Sequence, residues 1–334
     1  MGALIEQIRK SSPAGSDMRT ASPLTNMTIA TLQDAGDFVL ETAAPILPVD
    51  HRSGTFYVYT NGAFNREEMR VRGLGESEGG GFSLTSDTYA TVDYCVHHDV
   101  DEDDIDDADP MIDALQDSAD WGANQIRMKG DRLFLAACFA ASKWGVDLTG
   151  TDSTPALGTS VLKLGNSTAD PVKDMEQTRE LVRARCGKIP NVIVPGRSVH
   201  SSIMSNAVVR DLIKYVDIAS TSVIRSKLAD LFGVDEYIVP GGFSNTAAEG
   251  QTVALADILT NDGLWMGYVN PNIGMKTMTA VRTFGWRRGG RAPNGISTKR
   301  FYIEKNKCYR SEFSFHALVK IIDSDAGAFI TDYV

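Results

Sequence analysis

Residues 110–145 read PMIDALQDSADWGANQIRMKGDRLFLAACFAASKWG and contain the clearest helical pattern in the chain. Apolar residues recur along it at a spacing of three to four, which predicts a helix with one apolar stripe. The stripe consists of Ile112, Leu115, Ala119, Ile126, Leu133 and Ala137. At 1.5 Å per residue such a helix would be about 54 Å long, several times the mean helix length. Gly122 and Gly130 weaken it and are expected to bend or break it. A helix of this length indicates a spine for other segments rather than part of a compact enzyme lobe.

Just upstream, residues 96–110 read VHHDVDEDDIDDADP, with eight carboxylates between Asp99 and Asp109. Such a density of oxygen ligands raises the question of a calcium loop. An EF-hand loop starting at Asp99 would need glycine at position six and glutamate at position twelve. The chain has Asp104 and Pro110 at those two positions. The stretch therefore does not predict a calcium site.

Zinc is not favoured either, because His97 and His98 are neighbours and would point to opposite faces of a strand. A block of like charges this dense is typical of a solvated connector. Asp109 followed by Pro110 predicts a helix N-cap and a first helical residue. We therefore interpret the stretch as a charged, flexible hinge that starts the spine helix, with no metal site.

Composition bounds the class of protein. A chain of 334 residues is longer than one core usually serves, so two subdomains are expected. No apolar run approaches eighteen residues, so no transmembrane helix and no membrane partner are predicted. The N-terminal twenty residues lack the apolar core of a signal peptide, which predicts a cytoplasmic site of synthesis.

The cysteines and the net charge exclude further classes. The four cysteines, Cys95, Cys138, Cys186 and Cys308, form no C-x-x-C pair, which predicts reduced and mostly buried thiols. A net charge of −10 and a pI near 5.0 argue against a dedicated nucleic-acid binder.

The segments before the spine helix are expected to be extended. The first fifty residues read as an arm, because Pro45 and Pro48 end any helix there. Two strand-like ends, 55–60 and 88–96, enclose a charged and glycine-rich middle that is poor in large apolar residues. That middle is expected to be a protruding loop or a two-stranded arm.

Three segments follow the spine helix. Residues 145–171 are rich in turn residues and are interpreted as a linker. Residues 172–272 alternate helices with short buried strands, which predicts an α/β subdomain. Residues from 273 onwards are predicted to be long antiparallel strands joined by WRRGGRAPNG at 286–295, hereafter the arginine loop.

Motifs that carry catalysis are missing from the sequence. It contains no Walker A, H-E-x-x-H, G-x-S-x-G or strand-coupled G-x-G-x-x-G motif. His200 beside Ser201 and Ser202 is a candidate general base with a nucleophile, although a surface position on a helix explains it better. We therefore predict no enzyme and no cofactor.

The order of arm, glycine-rich loop, acidic hinge, spine helix, α/β subdomain and long strands resembles the major capsid proteins of tailed bacteriophages with the HK97 fold. The resemblance covers almost the whole chain from about residue 25, and it depends on the combination and order of motifs, none of which is catalytic. The segments that carry it, besides the spine helix, are GGGFSLTSDTYATVDYCVHHDV (79–100), KIPNVIVPGRSVHSSIMSNAVVRDLIKY (188–215), LADLFGVDEYIVPGGFSNTAAEG (228–250) and GLWMGYVNPN (263–272).

The resemblance implies an α+β, HK97-like capsid fold in five segments. These are an N-terminal arm (1–53), an E-loop (54–95), a first P-domain part with the hinge and spine helix (96–171), an A-domain (172–272) and a second P-domain part with long strands and the arginine loop (273–334).

The implied function is a shell subunit that forms hexamers and pentamers of an icosahedral head around double-stranded DNA. Such a head would belong to the virion and assemble in the host cytoplasm with a scaffolding protein, a portal and, in some cases, a decoration protein. The acidic balance agrees with this, because a lining that bound DNA tightly would obstruct packing and ejection. The alternatives are an encapsulin-type compartment, which uses the same fold around cargo enzymes, and a soluble hydrolase.

Two details refine the expectation. Some members of the resembled family join subunits by Lys–Asn bonds with the lysine in the E-loop, but no lysine occurs here between Lys10 and Lys129, so a non-covalent head is expected. The arginine loop is expected to contact E-loop carboxylates of a neighbouring subunit, since arginine binds carboxylates in a bidentate way, or else to be a solvated basic tip. The candidate inter-subunit residues are Arg287, Arg288, Arg291, Glu67, Glu68, Arg70, Arg72, Glu76 and Glu78.

Overall fold

The computed structural model describes residues 38–59, 83–106, 113–213, 221–248, 250–259, 262–270 and 277–334, with single positions at 36, 69, 81 and 272. The helices are α1 (Leu40–Ala43), α2 (Glu102–Asp106), α3 (Ala114–Cys138), α4 (Pro171–Cys186), α5 (Arg197–Ser205), α6 (Ala207–Ile213) and α7 (Thr221–Phe232). A 3₁₀ turn spans Ser324–Ala326.

Strands come from both halves of the chain. They are β1 (Ile46–Val49), β2 (Ser53–Tyr59), β3 (Leu84–Ala90), β4 (Val92–Asp101), β5 (Val146–Thr151), β6 (Ser160–Leu162), β7 (Val192–Pro195), β8 (Glu236–Tyr237), β9 (Phe243–Asn245), β10 (Leu255–Asp257), β11 (Leu264–Gly267), β12 (Val281–Trp286), β13 (Ile296–Ile303), β14 (Cys308–Ile321) and β15 (Gly327–Thr331).

The first sheet is built around the long strand β14. One edge of β14 pairs with β4. The opposite edge pairs first with β13 and then with β12, both antiparallel to it, while β1 adds to β12 in parallel. Gly285 lies opposite Ala317 and Ile296 lies opposite Phe315, so β12 and β13 follow one another along a single edge.

This arrangement corrects the expectation that the arginine loop is a hairpin turn. The loop lies between β12 and β13, which pair with consecutive parts of the same edge of β14. The chain therefore leaves the sheet after β12 and rejoins it at β13, at nearly the same place. Its two ends touch closely, because a Cβ added to Gly295 would lie 3.0 Å from the Gly285 Cα. Gly295 also has a φ of +76°, which only glycine adopts easily. Strand periodicity alone did not reveal which strand pairs with which.

The second sheet has the order β6-β5-β15-β11-β7-β8. It corrects the expectation of a loop-rich linker over 145–171, because β5 and β6 lie in that stretch and pair in parallel. Within β5 only Val146, Leu148 and Gly150 are buried, so the apolar signal is short. The strand is held by β15, which pairs with β5 in parallel and with β11 antiparallel.

The spine helix α3 is shorter than predicted at both ends. Asp113 is its N-cap: the residue is extended, with φ −101° and ψ 91°, and its carboxylate accepts from the Leu115 and Gln116 N–H groups. The predicted start at Asp109 is therefore wrong. The helix ends at Cys138 rather than near Gly145, and the Trp144 indole N–H donates to the Cys138 carbonyl at 2.8 Å.

The buried face of α3 is a row of mostly small residues. It contains Ala114, Ser118, Gly122, Gly130, Asp131, Phe134 and Cys138. The predicted apolar stripe lies beside this row and is only partly buried where the structure describes it. The helix passes Gly122 and Gly130 without a break: a Cβ at Gly122 would lie 2.5 Å from the Phe313 ring, and one at Gly130 would lie 2.7 Å from the Leu40 side chain. Both glycines therefore permit close packing and do not interrupt the helix.

Helices and short strands alternate in the α/β region, as predicted. Helix α4 starts after the N-cap Asp170, which precedes Pro171, and it ends at Gly187, which has a φ of +72°. Helices α5 and α6 follow one another and are separated at Asn206, whose backbone is extended. The Asn206 side chain accepts from the Val208 N–H and donates to the Ala169 carbonyl.

The largest apolar core joins both sheets to α3. Its fully buried members include Phe134, Ile193, Leu264, Trp265 and Met266. Among the helices of the described ranges, none is long and apolar enough to cross a bilayer.

Candidate functional site

The two-stranded arm that was expected around the glycine-rich loop has its described ends in β2 and β3, which pair antiparallel over their whole lengths. Tyr89 stacks on Phe284 of β12, with ring centroids 4.6 Å apart and an interplanar angle of 2°. Lys320 of β14 lies 2.7 Å from the Asp87 carboxylate and donates to the Thr88 carbonyl. This ion pair lowers the pKa of Asp87. One end of the arm is thus attached to the first sheet.

The acidic stretch is ordered over 96–106 and does not form the connector that was expected there. It continues β4, in which every residue from Val92 to Asp101 pairs with β14. Asp99 is 5% exposed, and its two carboxylate oxygens accept from Arg310 at 2.7 and 2.6 Å. The sequence suggested a solvated stretch because its charges are dense. The pairing of Asp99 could not be seen locally, since Arg310 lies 211 residues later.

Beyond β4, the carboxylates of α2 lie beside the turn between β13 and β14. The Tyr302 hydroxyl donates to Glu102 at 2.7 Å, which raises the pKa of Tyr302 to about 12. His98 faces Trp121 of the spine helix at 5.4 Å, whereas the exposed His97 belongs to the alternate face of the strand. In the parts of the chain that the structure describes, no three His, Cys, Asp or Glu side chains are grouped to hold a metal ion.

The arginine loop carries its cations into solvent on an ordered backbone. Arg287, Arg288 and Arg291 are exposed, while Ala292 between them and the sheet is fully buried. The Gly290 and Ala292 N–H groups both donate to the Arg287 carbonyl at 3.0 Å. The backbone of Arg288 is in the left-handed region, with a φ of +45°.

The loop is attached to the last residue of β1 and to the turn that follows it. The Arg287 N–H donates to the Val49 carbonyl, and the Arg287 guanidinium lies 3.6 Å from Asp50. The six other candidate inter-subunit residues lie outside the described residues: Glu67, Glu68, Arg70, Arg72, Glu76 and Glu78. Pairing between the arginines and those carboxylates therefore stays a prediction.

Two further groups were missed by sequence reasoning. His316 is 1% exposed, and its Nδ1 lies 2.9 Å from Asp93 on β4. Asp131, in the middle of the spine helix, is fully buried and accepts from the Val39 and Leu40 N–H groups at 3.0 Å. Burial raises the pKa of Asp131 to about 6. No local sequence motif indicates that either residue is buried, since the residues that contact His316 and Asp131 are distant in sequence.

The candidate catalytic pair does not gain support from its surroundings. His200 Nδ1 lies 3.0 Å from the Tyr237 hydroxyl, so the imidazole has a partner on β8 rather than in Ser201 or Ser202. Burial, followed by the charges of Arg225 and Arg197, lowers the pKa of His200. The pair is explained by packing of α5 against β8.

The cysteines follow the expectation with one exception. All four are free thiols; Cys138, Cys186 and Cys308 are buried, and Cys95 is exposed. Burial raises the pKa of each buried thiol, which disfavours the reactive thiolate.

Comparison with known proteins finds the likeness in structure and not in sequence. No family model and no curated protein matches this sequence. A phage-related protein from Bordetella bronchiseptica is similar over 90% of this chain and 94% of its own, with 17% identity and a TM-score of 0.67.

Two further solved structures come from phages. The capsid structure of cyanophage P-SCSP1u matches 95% of this chain and 93% of its own, with 9% identity and a TM-score of 0.57. A structure from Microbacterium phage Oxtober96 covers 95% of this chain and 98% of its own, with 14% identity and a TM-score of 0.53. The chain therefore has the fold of phage capsid proteins, as the resemblance implied.

Proposed function

We propose that the chain is the major capsid protein of a tailed bacteriophage, which assembles into hexamers and pentamers of an icosahedral shell around double-stranded DNA. The proposal rests on structural similarity to three phage proteins. In each comparison the similarity covers at least nine tenths of this chain and of the other chain. A fold shared end to end leaves little of the chain for a separate activity. The proposal gives the protein a structural role and no catalytic one.

The proposed architecture divides the chain into an arm, an E-loop, a P-domain and an A-domain. The arm docked on β12 and β14 corresponds to the root of the E-loop. The spine helix α3 and the sheet around β14 correspond to the P-domain. The six-stranded sheet with α4 to α7 supports an A-domain, to which β5, β6 and β15 would also belong because they pair within that sheet.

The proposed partners are a scaffolding protein during assembly, a portal and, in addition, a decoration protein. DNA is enclosed without sequence-specific binding, which agrees with the net charge of −10. The proposed head is held by non-covalent contacts, because the E-loop segment offers no lysine to a Lys–Asn bond.

Electron microscopy with light scattering on the purified full chain tests the proposal, alone and co-expressed with the candidate scaffolding protein. We expect closed shells or capsomer rings, and a single monomer band when the particles are boiled and reduced on a gel. A ladder of covalent multimers would contradict the non-covalent head. A monomer or dimer under every condition would overturn the capsid function and favour a hydrolase. Particles filled with a cargo enzyme would favour the encapsulin alternative.

We also propose that the arginine loop contacts carboxylates of a neighbouring subunit. Reversing the charges in Arg287→Glu, Arg288→Glu and Arg291→Glu together is expected to reduce shell yield at least about tenfold, because attraction across each contact becomes repulsion. The yield of sedimenting particles measures this.

A matched control reverses three exposed cations on the α/β region, in Arg183→Glu, Arg210→Glu and Lys227→Glu. This control changes the net charge by the same amount, and it should assemble close to the wild-type yield. Equal yields of sedimenting particles from both triple variants would contradict the inter-subunit contact and favour a solvated basic loop.

A further inference from the structure

His316 contacts both ends of the arginine loop. Its imidazole ring meets the indole of Trp286, the first residue of the loop, in an edge-to-face arrangement with centroids 5.5 Å apart. Its backbone N–H donates to the carbonyl of Gly295, the last residue of the loop, at 2.6 Å. With 1% of its surface exposed, the residue is enclosed where the loop leaves and rejoins the sheet.

Charged groups from three other segments face the imidazole. Asp93 on β4 places a carboxylate oxygen 2.9 Å from Nδ1, which favours a positive charge on the ring. Arg288 in the loop and Arg52 in the turn before β2 oppose that charge. Burial opposes it more strongly than either arginine and lowers the pKa of His316 below the usual range.

The second ring nitrogen decides what protonation would do. Both ring nitrogens are buried and neither makes a hydrogen bond of good geometry among the described residues, but Nδ1 lies 2.9 Å from the Asp93 carboxylate, which Nε2 does not face. A neutral imidazole tolerates this, because Nε2 can remain a bare acceptor when Nδ1 carries the proton. A protonated imidazole has a second N–H at Nε2, and a buried N–H without an acceptor destabilises the arrangement.

We propose that His316 is a proton-sensitive switch that sets the position of the arginine loop. In the neutral state the ring fills the space between the loop's ends and holds them against β14. In the protonated state the Nε2–H requires an acceptor and the ring repels Arg288. The loop then moves away from the sheet and carries its arginines with it.

The loop moves rather than the strand beneath it, because the two are held unequally. Around His316 the strand β14 is flanked by β4 on one edge and by β12 and β13 on the other. The loop is held to a strand near its start, where the Arg287 N–H donates to the Val49 carbonyl of β1, but residues 288–294 form no strand, and Arg288 has a φ of +45°. Moving the loop therefore breaks fewer hydrogen bonds than moving β14, so the loop is the segment that responds to the new charge.

The direction with pH follows from linkage. A histidine whose pKa is lower in the folded than in the unfolded state stabilises the fold above its unfolded pKa, and that contribution is lost as pH falls. The loop is thus held at neutral pH and released on the acid side of an ordinary histidine titration.

Hydrogen exchange with mass spectrometry on the full-length, unassembled protein tests the switch between pH 7.5 and 5.0, after correction for intrinsic exchange. Peptides covering 286–295 are expected to exchange at least about threefold faster at the acid end. Peptides covering the turn at 304–307 should show no such change. In His316→Gln the acid response of the loop should disappear, since glutamine does not titrate.

Two variants that each remove one charge should shift the pH midpoint in opposite directions, which general damage to the site would not do. Asp93→Asn removes the group that favours protonation, so the midpoint of the loop response should move to lower pH. Arg288→Gln removes a repulsive charge, so the midpoint should move to higher pH. This pair also decides the matter if His316→Gln fails to fold. An unchanged wild-type loop at pH 5.0, a persistent response in His316→Gln, or midpoint shifts in the same direction would each overturn the switch.

Discussion

Replacing Arg310 with methionine is expected to lower the free energy of unfolding by about 3 kcal/mol, because Asp99 loses its bidentate partner while remaining buried. Asp99 is 5% exposed, and both of its carboxylate oxygens accept from the Arg310 guanidinium. Methionine fills a similar volume but supplies no donor. Urea denaturation of the unassembled subunit measures the loss.

Two comparisons isolate the ion pair from general damage. Arg183→Met removes an exposed pair with Glu180 on α4 and should change the stability by less than about 0.5 kcal/mol. The double variant Asp99→Asn with Arg310→Met should recover most of the loss, since the buried group that has lost its bidentate partner is then uncharged. If Arg310→Met were as harmless as Arg183→Met, the pairing would not stabilise the junction of β4 and β14.

Asp131→Leu is expected to be about 2 kcal/mol less stable than Asp131→Asn. Asparagine keeps an acceptor for the Val39 and Leu40 N–H groups, whereas leucine leaves both N–H groups buried without a partner. The first segment to respond should be the one around α1, which these bonds attach to the spine helix. Denaturation of the two variants, with hydrogen exchange of peptides covering 38–44, measures the difference.

The same site predicts a pH dependence with a definite sign. Burial raises the pKa of Asp131 to about 6, above its value of 3.8 in an unfolded chain. The folded state therefore binds the proton more tightly, and this stabilisation is present below pH 4 and lost as pH rises through 6. The asparagine side chain of Asp131→Asn does not titrate. The free energy of unfolding of this variant, relative to wild type, should therefore rise by up to about 3 kcal/mol as the pH is raised from 3.5 to 7. A constant difference across that range would contradict a desolvated carboxyl at this position.

The elements that could be predicted are those whose signals are local. Asp170 before Pro171 and Gly187 after Cys186 start and end α4 by their own conformational preferences. The spine helix was found from its periodicity, but its buried row was not, because Ser118, Gly122 and Gly130 carry little hydrophobicity. The same Asp–Pro signature at 109–110 did not mark the start of the spine helix, whose N-cap is Asp113.

The candidate contacts depended on distant partners and were harder to predict. The arginine loop was identified from its composition, and its exposure agrees with either of the two roles considered. Its position along the edge of β14 could not be predicted, because the pairing of β12 and β13 depends on a strand further along the chain. His316 and Asp131 were missed for the same reason: their burial comes from segments 90 or more residues away in sequence.

The placement of β15 has a consequence for synthesis of the subunit. Residues 327–331 form the strand between β5 and β11, so the six-stranded sheet has no centre until these residues have left the ribosome. Residues 146–151 and 264–267 must wait for them with apolar edges unpaired, in the partly folded state that chaperones recognise. A chain that lacks residues 327–331 therefore cannot complete this sheet, however much of the rest has been made.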